Sequence, residues 1–110
     1  MRCHRAWRIL ELGDLYGAQG KPSSAVHAYA QALKLDPSPQ QRLRLLLTLG
    51  EKLPPLNREP EAYEYYQRVA QEFPDYPDKG AIYRHLLTLA KSLNQKGDVE
   101  KYEALIKSQP

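Results

Sequence analysis

The sequence is poor in the residues that build several common kinds of site. Its 110 residues include a single cysteine, Cys3, so no disulfide can form within the chain. One cysteine beside His4 also provides too few ligands for a structural metal site. A chain without disulfides favours a reducing compartment, and we therefore expect a cytoplasmic protein.

Long apolar runs and runs of one charge are also missing. No apolar segment approaches the roughly 18 residues that a membrane-spanning helix needs. Charges interrupt the first twelve residues, so no signal peptide is expected. Sixteen Lys and Arg against thirteen Asp and Glu give a net charge of +3, spread along the chain. This mild basic balance is far from that of a nucleic-acid-binding tail.

The sequence carries no recognisable catalytic motif either. Its three histidines, His4, His27 and His85, fall in different predicted helices, and no spacing joins them to an acid or a nucleophile. No glycine-rich phosphate-binding loop is present. We therefore expect a protein that is not an enzyme and that uses no cofactor and no metal ion.

What the sequence does contain is a repeated apolar motif. Residues 46–53 read LLTLGEKL and residues 86–93 read LLTLAKSL, and a weaker copy, ILELGDLY, occupies residues 9–16. Apolar residues recur in these copies every three or four positions, which indicates helices. Internal repeats of this period are typical of stacked helical units, because one unit alone cannot bury its apolar face.

Proline and glycine divide the chain into six predicted helices, and no strand pattern competes with them. We expect helices at about 4–18, 22–35, 38–53, 60–73 and 79–95, and a short sixth helix after Gly97–Asp98 that ends near Ser108. Ser38 and Gln41 form a capping box at the start of the third helix. The predicted class is all-α, with a single domain over residues 1–110.

Small residues recur at fixed positions in these helices. Gly13 precedes Ala25 by twelve residues, and Gly50 precedes Ala62 by the same number. We expect each glycine to face its alanine where two antiparallel helices approach closely. The tyrosine four residues after each alanine is then expected to fill the space against the next hairpin.

This pattern resembles the tetratricopeptide repeat, a helical hairpin of about 34 residues with the motif W-x2-L-G-x2-Y, then A-x3-F, then A and P. The resemblance covers repeats at about 6–39, 43–76 and 83–110. The third repeat is degenerate, because Tyr102 stands where a small residue belongs. The resemblance implies a right-handed superhelical solenoid of three antiparallel helical hairpins, whose first helices line a concave surface.

The resemblance also implies which residues line the concave groove. They form three rows with one residue from each repeat: Trp7, Arg44 and Arg84; Leu10, Leu47 and Leu87; and Asp14, Glu51 and Lys91. An apolar row between charged rows suits a peptide segment or a helix of a partner protein. We therefore expect a protein–protein interaction module or scaffold. Packing between repeats and ordinary solvated surface are the competing explanations for these residues.

Two other functions stay open from the sequence. The first helix has no hairpin before it, so Ile9 and Trp7 could be covered by a second copy or by residues of a longer tetratricopeptide-repeat protein. The chain would then be a self-assembly module or a fragment. Nucleic-acid binding has less support, because it depends on Arg2, Arg5 and Arg8 along one side of the first helix, without interleaved aromatic residues.

Overall fold

The computed structural model describes residues 2–109 and confirms the all-α class. Its six α-helices are α1 (Arg2–Ala18), α2 (Pro22–Leu33), α3 (Pro39–Lys52), α4 (Glu59–Glu72), α5 (Lys79–Ser92) and α6 (Lys96–Lys107). A 3-10 helix at Pro54–Leu56 follows α3, and no strand occurs in the described part. Met1 and Pro110, as well as the side chains of Arg2 and Cys3, lie outside it.

The helices form three hairpins that are stacked in series. α1 packs against α2, α3 against α4, and α5 against α6, while α2 contacts α3 and α4 contacts α5. Among helices of the described residues that are not consecutive, α1 and α3 make the largest contact, and it is small. This linear arrangement is that of a helical repeat protein, in which each hairpin buries its apolar face against the next.

Two predicted helix caps are present. The Ser38 hydroxyl accepts a hydrogen bond from the Gln41 backbone N–H at 3.2 Å, and the Gln41 side chain accepts one from the Ser38 N–H at 2.9 Å. At the start of α5, the Asp78 carboxylate accepts a hydrogen bond from the Ala81 N–H at 3.1 Å. These bonds satisfy N–H groups that the first turn of a helix leaves without a partner.

The turn between the two helices of each hairpin, which we call the joint, has the same geometry in all three hairpins. Gly20, Asn57 and Asn94 follow one another at intervals of thirty-seven residues and have left-handed φ angles of 72°, 60° and 57°. Glycine and asparagine tolerate this conformation best. The next residue then donates its N–H to the carbonyl five positions back, in the pairs Lys21–Tyr16 at 2.9 Å, Arg58–Leu53 at 3.1 Å and Gln95–Ala90 at 2.9 Å.

The joint and the second helix of the third hairpin follow the interval of thirty-seven residues, whereas the bounds of α5 lie forty residues after those of α3. The motif in α5 lies forty residues after its copy in α3, whereas the joints lie thirty-seven apart. Counted from the joints, Val99 corresponds to Ala62. α6 accordingly begins at Lys96, so Gly97 and Asp98 form its first turn instead of preceding it.

Tyr102 fits into the core of this realigned hairpin. Its side chain is only 4% exposed. Its ring meets the ring of Tyr63 edge to face at 6.5 Å and stacks near that of Tyr83 at 6.3 Å. Counted from the joints, Tyr102 corresponds to Tyr65, which is also large. A tyrosine at this position therefore does not force α6 away from α5.

The glycines of the first two hairpins face tyrosine rings rather than alanines. A β-carbon on Gly13 would lie 2.7 Å from Cε1 of Tyr29, and one on Gly50 would lie 2.6 Å from Cζ of Tyr66. The nearest neighbour of each glycine is thus a tyrosine ring of the same hairpin, where the prediction had placed an alanine. The predicted core leucines of α3 and α5 are buried, except that Leu93 keeps partial exposure.

Candidate functional site: the central cleft

The groove residues predicted from the sequence lie at different depths. Trp7, Arg44, Glu51, Arg84 and Lys91 are exposed; Asp14, Leu47 and Leu87 are partly buried; and Leu10 is buried. They therefore differ in how much side-chain surface each can offer to a partner. The differences depend on how consecutive hairpins meet.

Asp14 links the first hairpin to the second through side-chain hydrogen bonds, and we call this contact the closed junction. Its Oδ1 accepts a hydrogen bond from the Tyr29 hydroxyl at 2.6 Å, and its Oδ2 accepts one from Nη2 of Arg44 at 2.9 Å. Burial opposes ionisation of Asp14, but the hydrogen bonds from Tyr29 and Arg44 outweigh it and lower the pKa of the carboxyl group. Two residues expected to contact a ligand thus contact each other.

Leu10 is not a groove residue, contrary to the expectation from the repeat pattern. It is 1% exposed and belongs to the hydrophobic core. Leu10 lies one turn before Asp14 on the same face of α1. Because Leu10 is buried among the core residues, its side chain has no surface left for a partner.

The junction between the second and third hairpins is open. Its corresponding residues lie thirty-seven positions after Asp14, Tyr29 and Arg44, and they are Glu51, Tyr66 and Ala81. An alanine thus stands where the closed junction has an arginine. Among the described residues, Glu51 makes no ion pair. The carboxylate at this junction is therefore available to a ligand.

A cleft, which we call the central cleft, forms at this open junction. It consists of two adjoining depressions of about 230 and 290 Å³ that share Glu51, Tyr66 and His85. Leu47, Tyr76 and Ala81 line the first depression, and Thr88 lines the second. Each is smaller than the roughly 300–1,000 Å³ of a typical small-molecule site, so side chains of a larger ligand suit the cleft better.

Tyr66 and His85 form the aromatic wall of the cleft. Their rings stack with centroids 4.8 Å apart and planes 5° from parallel. The Tyr66 hydroxyl makes no hydrogen bond to the described residues and retains some contact with solvent. Burial, followed by the negative charge of Glu51, raises the pKa of Tyr66 to about 12. At neutral pH the hydroxyl is protonated and can donate to a ligand.

The remaining predicted groove residues do not line the cleft. Arg84, which the motif aligns with Arg44, forms no ion pair with Glu51, and Leu87 and Lys91 are not among the lining residues. Trp7 lies on α1, outside the cleft. Of the nine predicted residues, Leu47 and Glu51 thus line the central cleft together, while Asp14 and Arg44 pair with each other at the first junction.

His85 and Tyr76 line the cleft but were not predicted as site residues from the sequence. A histidine in a helix has no distinctive spacing, and its stacking on Tyr66 depends on how α4 packs against α5. The sequence signal that could have revealed the site was the interval of thirty-seven residues between the joints. It aligns Ala81 with Arg44 and thereby reveals an unbalanced acid at Glu51.

The chemistry of the cleft is that of recognition of a cation beside an apolar group. Glu51 supplies a negative charge, and Leu47 and the stacked rings supply apolar surface. Within residues 2–109, no group of three or more His, Cys, Asp or Glu is arranged to hold a metal ion. None of the helices in this range combines the length and the apolar character that crossing a bilayer requires.

Neither a scan against models of known protein families nor a search of curated proteins finds a match. The function therefore has to be inferred from the helical repeat and from the central cleft.

Proposed function

We propose that this chain is a cytoplasmic, non-enzymatic interaction module of the tetratricopeptide-repeat type that binds a peptide segment or a helix of a partner protein. The observation that carries the proposal is the unpaired carboxylate of Glu51 in the central cleft, beside the half-buried Leu47. The repeated motif and the serial stack of hairpins support the family. Both features suit a scaffold that presents a groove.

The cleft selects for a basic side chain next to an apolar one. A lysine or arginine of the ligand can pair with Glu51, and the Tyr66 hydroxyl can donate to a carbonyl of the ligand backbone. An adjacent leucine, methionine or aromatic side chain would pack on Leu47 and Tyr76. Arg84, Leu87 and Lys91 remain predicted contacts for the ends of a longer ligand.

The substitution Ala81→Arg provides the sharpest test of this site. It reproduces at the second junction the arginine that closes the first, so the new guanidinium should pair with Glu51 and fill the cleft. The matched control is Ala104→Arg on α6, which adds the same side chain at an exposed position away from the cleft. Circular dichroism would show that both variants keep their helix content.

The probe is a random peptide library displayed on phage and selected on the wild-type protein. We expect the selected peptides to contain a lysine or arginine next to an apolar residue. Calorimetry with the synthetic peptides should show binding weakened by roughly tenfold or more in Ala81→Arg and unchanged in Ala104→Arg. Equal binding to all three proteins would place the site elsewhere, and failure to select any peptide would contradict the proposed function.

A further inference from the structure

The exposed large apolar side chains of the described chain all lie on α1. Trp7 is 42% exposed, Leu12 is 38% exposed and Leu15 is 53% exposed. Leu12 corresponds to Leu49 and Leu86 at intervals of thirty-seven residues, and both of those leucines are fully buried. They are buried because a helix of the preceding hairpin packs on α3 and on α5. The corresponding face of α1, which carries Trp7, Leu12 and Leu15, has no helix packed on it in the described part of the chain. We call it the outer face of α1.

The opposite end of the stack is polar. The outward side of α6 exposes charged residues, namely Glu100, Lys101, Glu103 and Lys107. Such a surface is typical of a terminal capping helix. A second copy stacked head to tail would place these charges on Leu12 and Leu15 and leave them poorly hydrated. The arrangement of the two ends therefore disfavours an open filament.

The charges on α1 instead suit a second copy of α1 itself. Arg8 and Glu11 lie between the exposed apolar residues, and neither makes an ion pair among the described residues. If two α1 helices pack antiparallel, a two-fold axis placed between residues 9 and 10 lies near the middle of each helix. Arg8 of one copy then lies level with Glu11 of the other, and Trp7 lies level with Leu12.

We propose that the protein forms a two-fold symmetric dimer through the outer faces of α1, with the two helices antiparallel and with Arg8 paired to Glu11 across the interface. A symmetric contact of this kind uses the same patch on both copies and closes after two. The central cleft belongs to the second and third hairpins and stays open in each copy. The dimer therefore does not depend on which ligand the cleft binds.

The first test is the mass in solution by sedimentation equilibrium over a series of protein concentrations. We expect wild type to be dimeric and Leu15→Glu to be monomeric, because each dimer would lose two apolar side chains from the interface and gain two carboxylates there. Leu15 is largely exposed within one copy, so the variant should keep its fold, which circular dichroism checks. The control Ala104→Glu adds the same charge on α6 and should leave the dimer intact.

The second test concerns the register of the two helices. Arg8→Glu and Glu11→Arg should each weaken dimerisation roughly tenfold, because two ion pairs are replaced by two like-charge contacts. An equimolar mixture of these two variants should form a heterodimer as tight as wild type, since both cross-helix pairs are then restored. A mixture no tighter than either variant alone would overturn the antiparallel register. A monomeric wild type, or a dimer unaffected by Leu15→Glu, would overturn the proposal.

Discussion

A β-carbon on Gly50 would lie 2.6 Å from Cζ of Tyr66, which is closer than two such atoms can approach. The glycine thus makes room for an aromatic ring that in turn stacks on His85 of the next hairpin. One residue without a side chain in α3 thereby supports the wall of the central cleft. The same relationship joins Gly13 to Tyr29 in the first hairpin.

We expect Gly50→Ala to lower the free energy of unfolding by about 1–3 kcal/mol, because the ring of Tyr66 must move to admit the methyl group. Gly17→Ala is the control, since a β-carbon there meets nothing within 4 Å. Removing a helical glycine should raise the stability of that variant by about 0.5–1 kcal/mol. Urea denaturation measures both changes, and equal effects would show that the ring does not depend on Gly50.

The closed junction should make stability sensitive to acid. The folded-state pKa of Asp14 lies below its usual value of 3.8, so its contribution is present above that value and is lost as the pH falls through the folded pKa. We expect Asp14→Asn to reduce the loss of stability between about pH 5 and pH 2. The control is Asp75→Asn, at an exposed carboxylate. A wild-type acid profile in Asp14→Asn would contradict the role of the closed junction.

Tyr29 and Tyr66 should respond differently to loss of the hydroxyl group at neutral pH. The Tyr29 hydroxyl donates to Asp14, so Tyr29→Phe should cost about 0.5–1.5 kcal/mol of stability. The Tyr66 hydroxyl has no partner among the described residues, and Tyr66→Phe should therefore be nearly neutral. Thermal or urea unfolding of the two variants would distinguish them, and a larger cost in Tyr66→Phe would mean that its hydroxyl is bonded.

The same two tyrosines should limit stability in alkali. Burial, and then the hydrogen bond to Asp14, raise the pKa of Tyr29 from 10.0 to about 12. Because a raised pKa stabilises the protonated folded state, this contribution is complete below pH 10 and is lost as the pH approaches about 12. Urea midpoints measured across this interval should fall less steeply for Tyr29→Phe than for wild type. If the urea midpoints of wild type and Tyr29→Phe fell in parallel with pH, the pKa of Tyr29 would not be raised in the folded state.

We expect α6 to open before the other helices. It packs on the stack from one side only, and the Tyr63 hydroxyl holds it by donating to Asp98 at 2.6 Å. Hydrogen exchange should therefore be faster in α6 than in α2 or α4, and faster still in Asp98→Ala. Glu100→Ala alters a neighbouring exposed acid as a control. Uniform protection of all helices, or equal effects of the two variants, would contradict this assignment.

Much of the fold could be predicted because its signals are local. Ser38 with Gln41 determines the start of α3, and Asp78 caps α5 through bonds to nearby N–H groups. The alignment of the third hairpin could not be read from the apolar motif, because that motif records which side of a helix is buried. The joints at Asn57 and Asn94 contain the missing information, since their conformation determines where the next helix begins.

The site was less predictable because it depends on contacts between hairpins. Leu47 and Leu10 occupy the same position in their repeats, yet one lines a cleft and the other is buried. The two junctions also differ in the residue that the following hairpin presents, which is Arg44 paired with Asp14 at one junction and Ala81 at the other. A repeat pattern predicts the same role for the same position in every repeat, so it cannot predict a difference between two junctions.

The contrast between Arg44 and Ala81 also means that the number of binding sites on this scaffold is not set by the number of hairpins. Arg44→Ala should leave the Tyr29 hydroxyl as the remaining hydrogen-bond partner of Asp14, which would give the protein a second acidic surface one repeat away from the first. A ligand with two basic anchors could then bind both surfaces at once and gain from their linkage. The number of binding sites on such an array of hairpins would then change through a single side chain, without the addition of a helix.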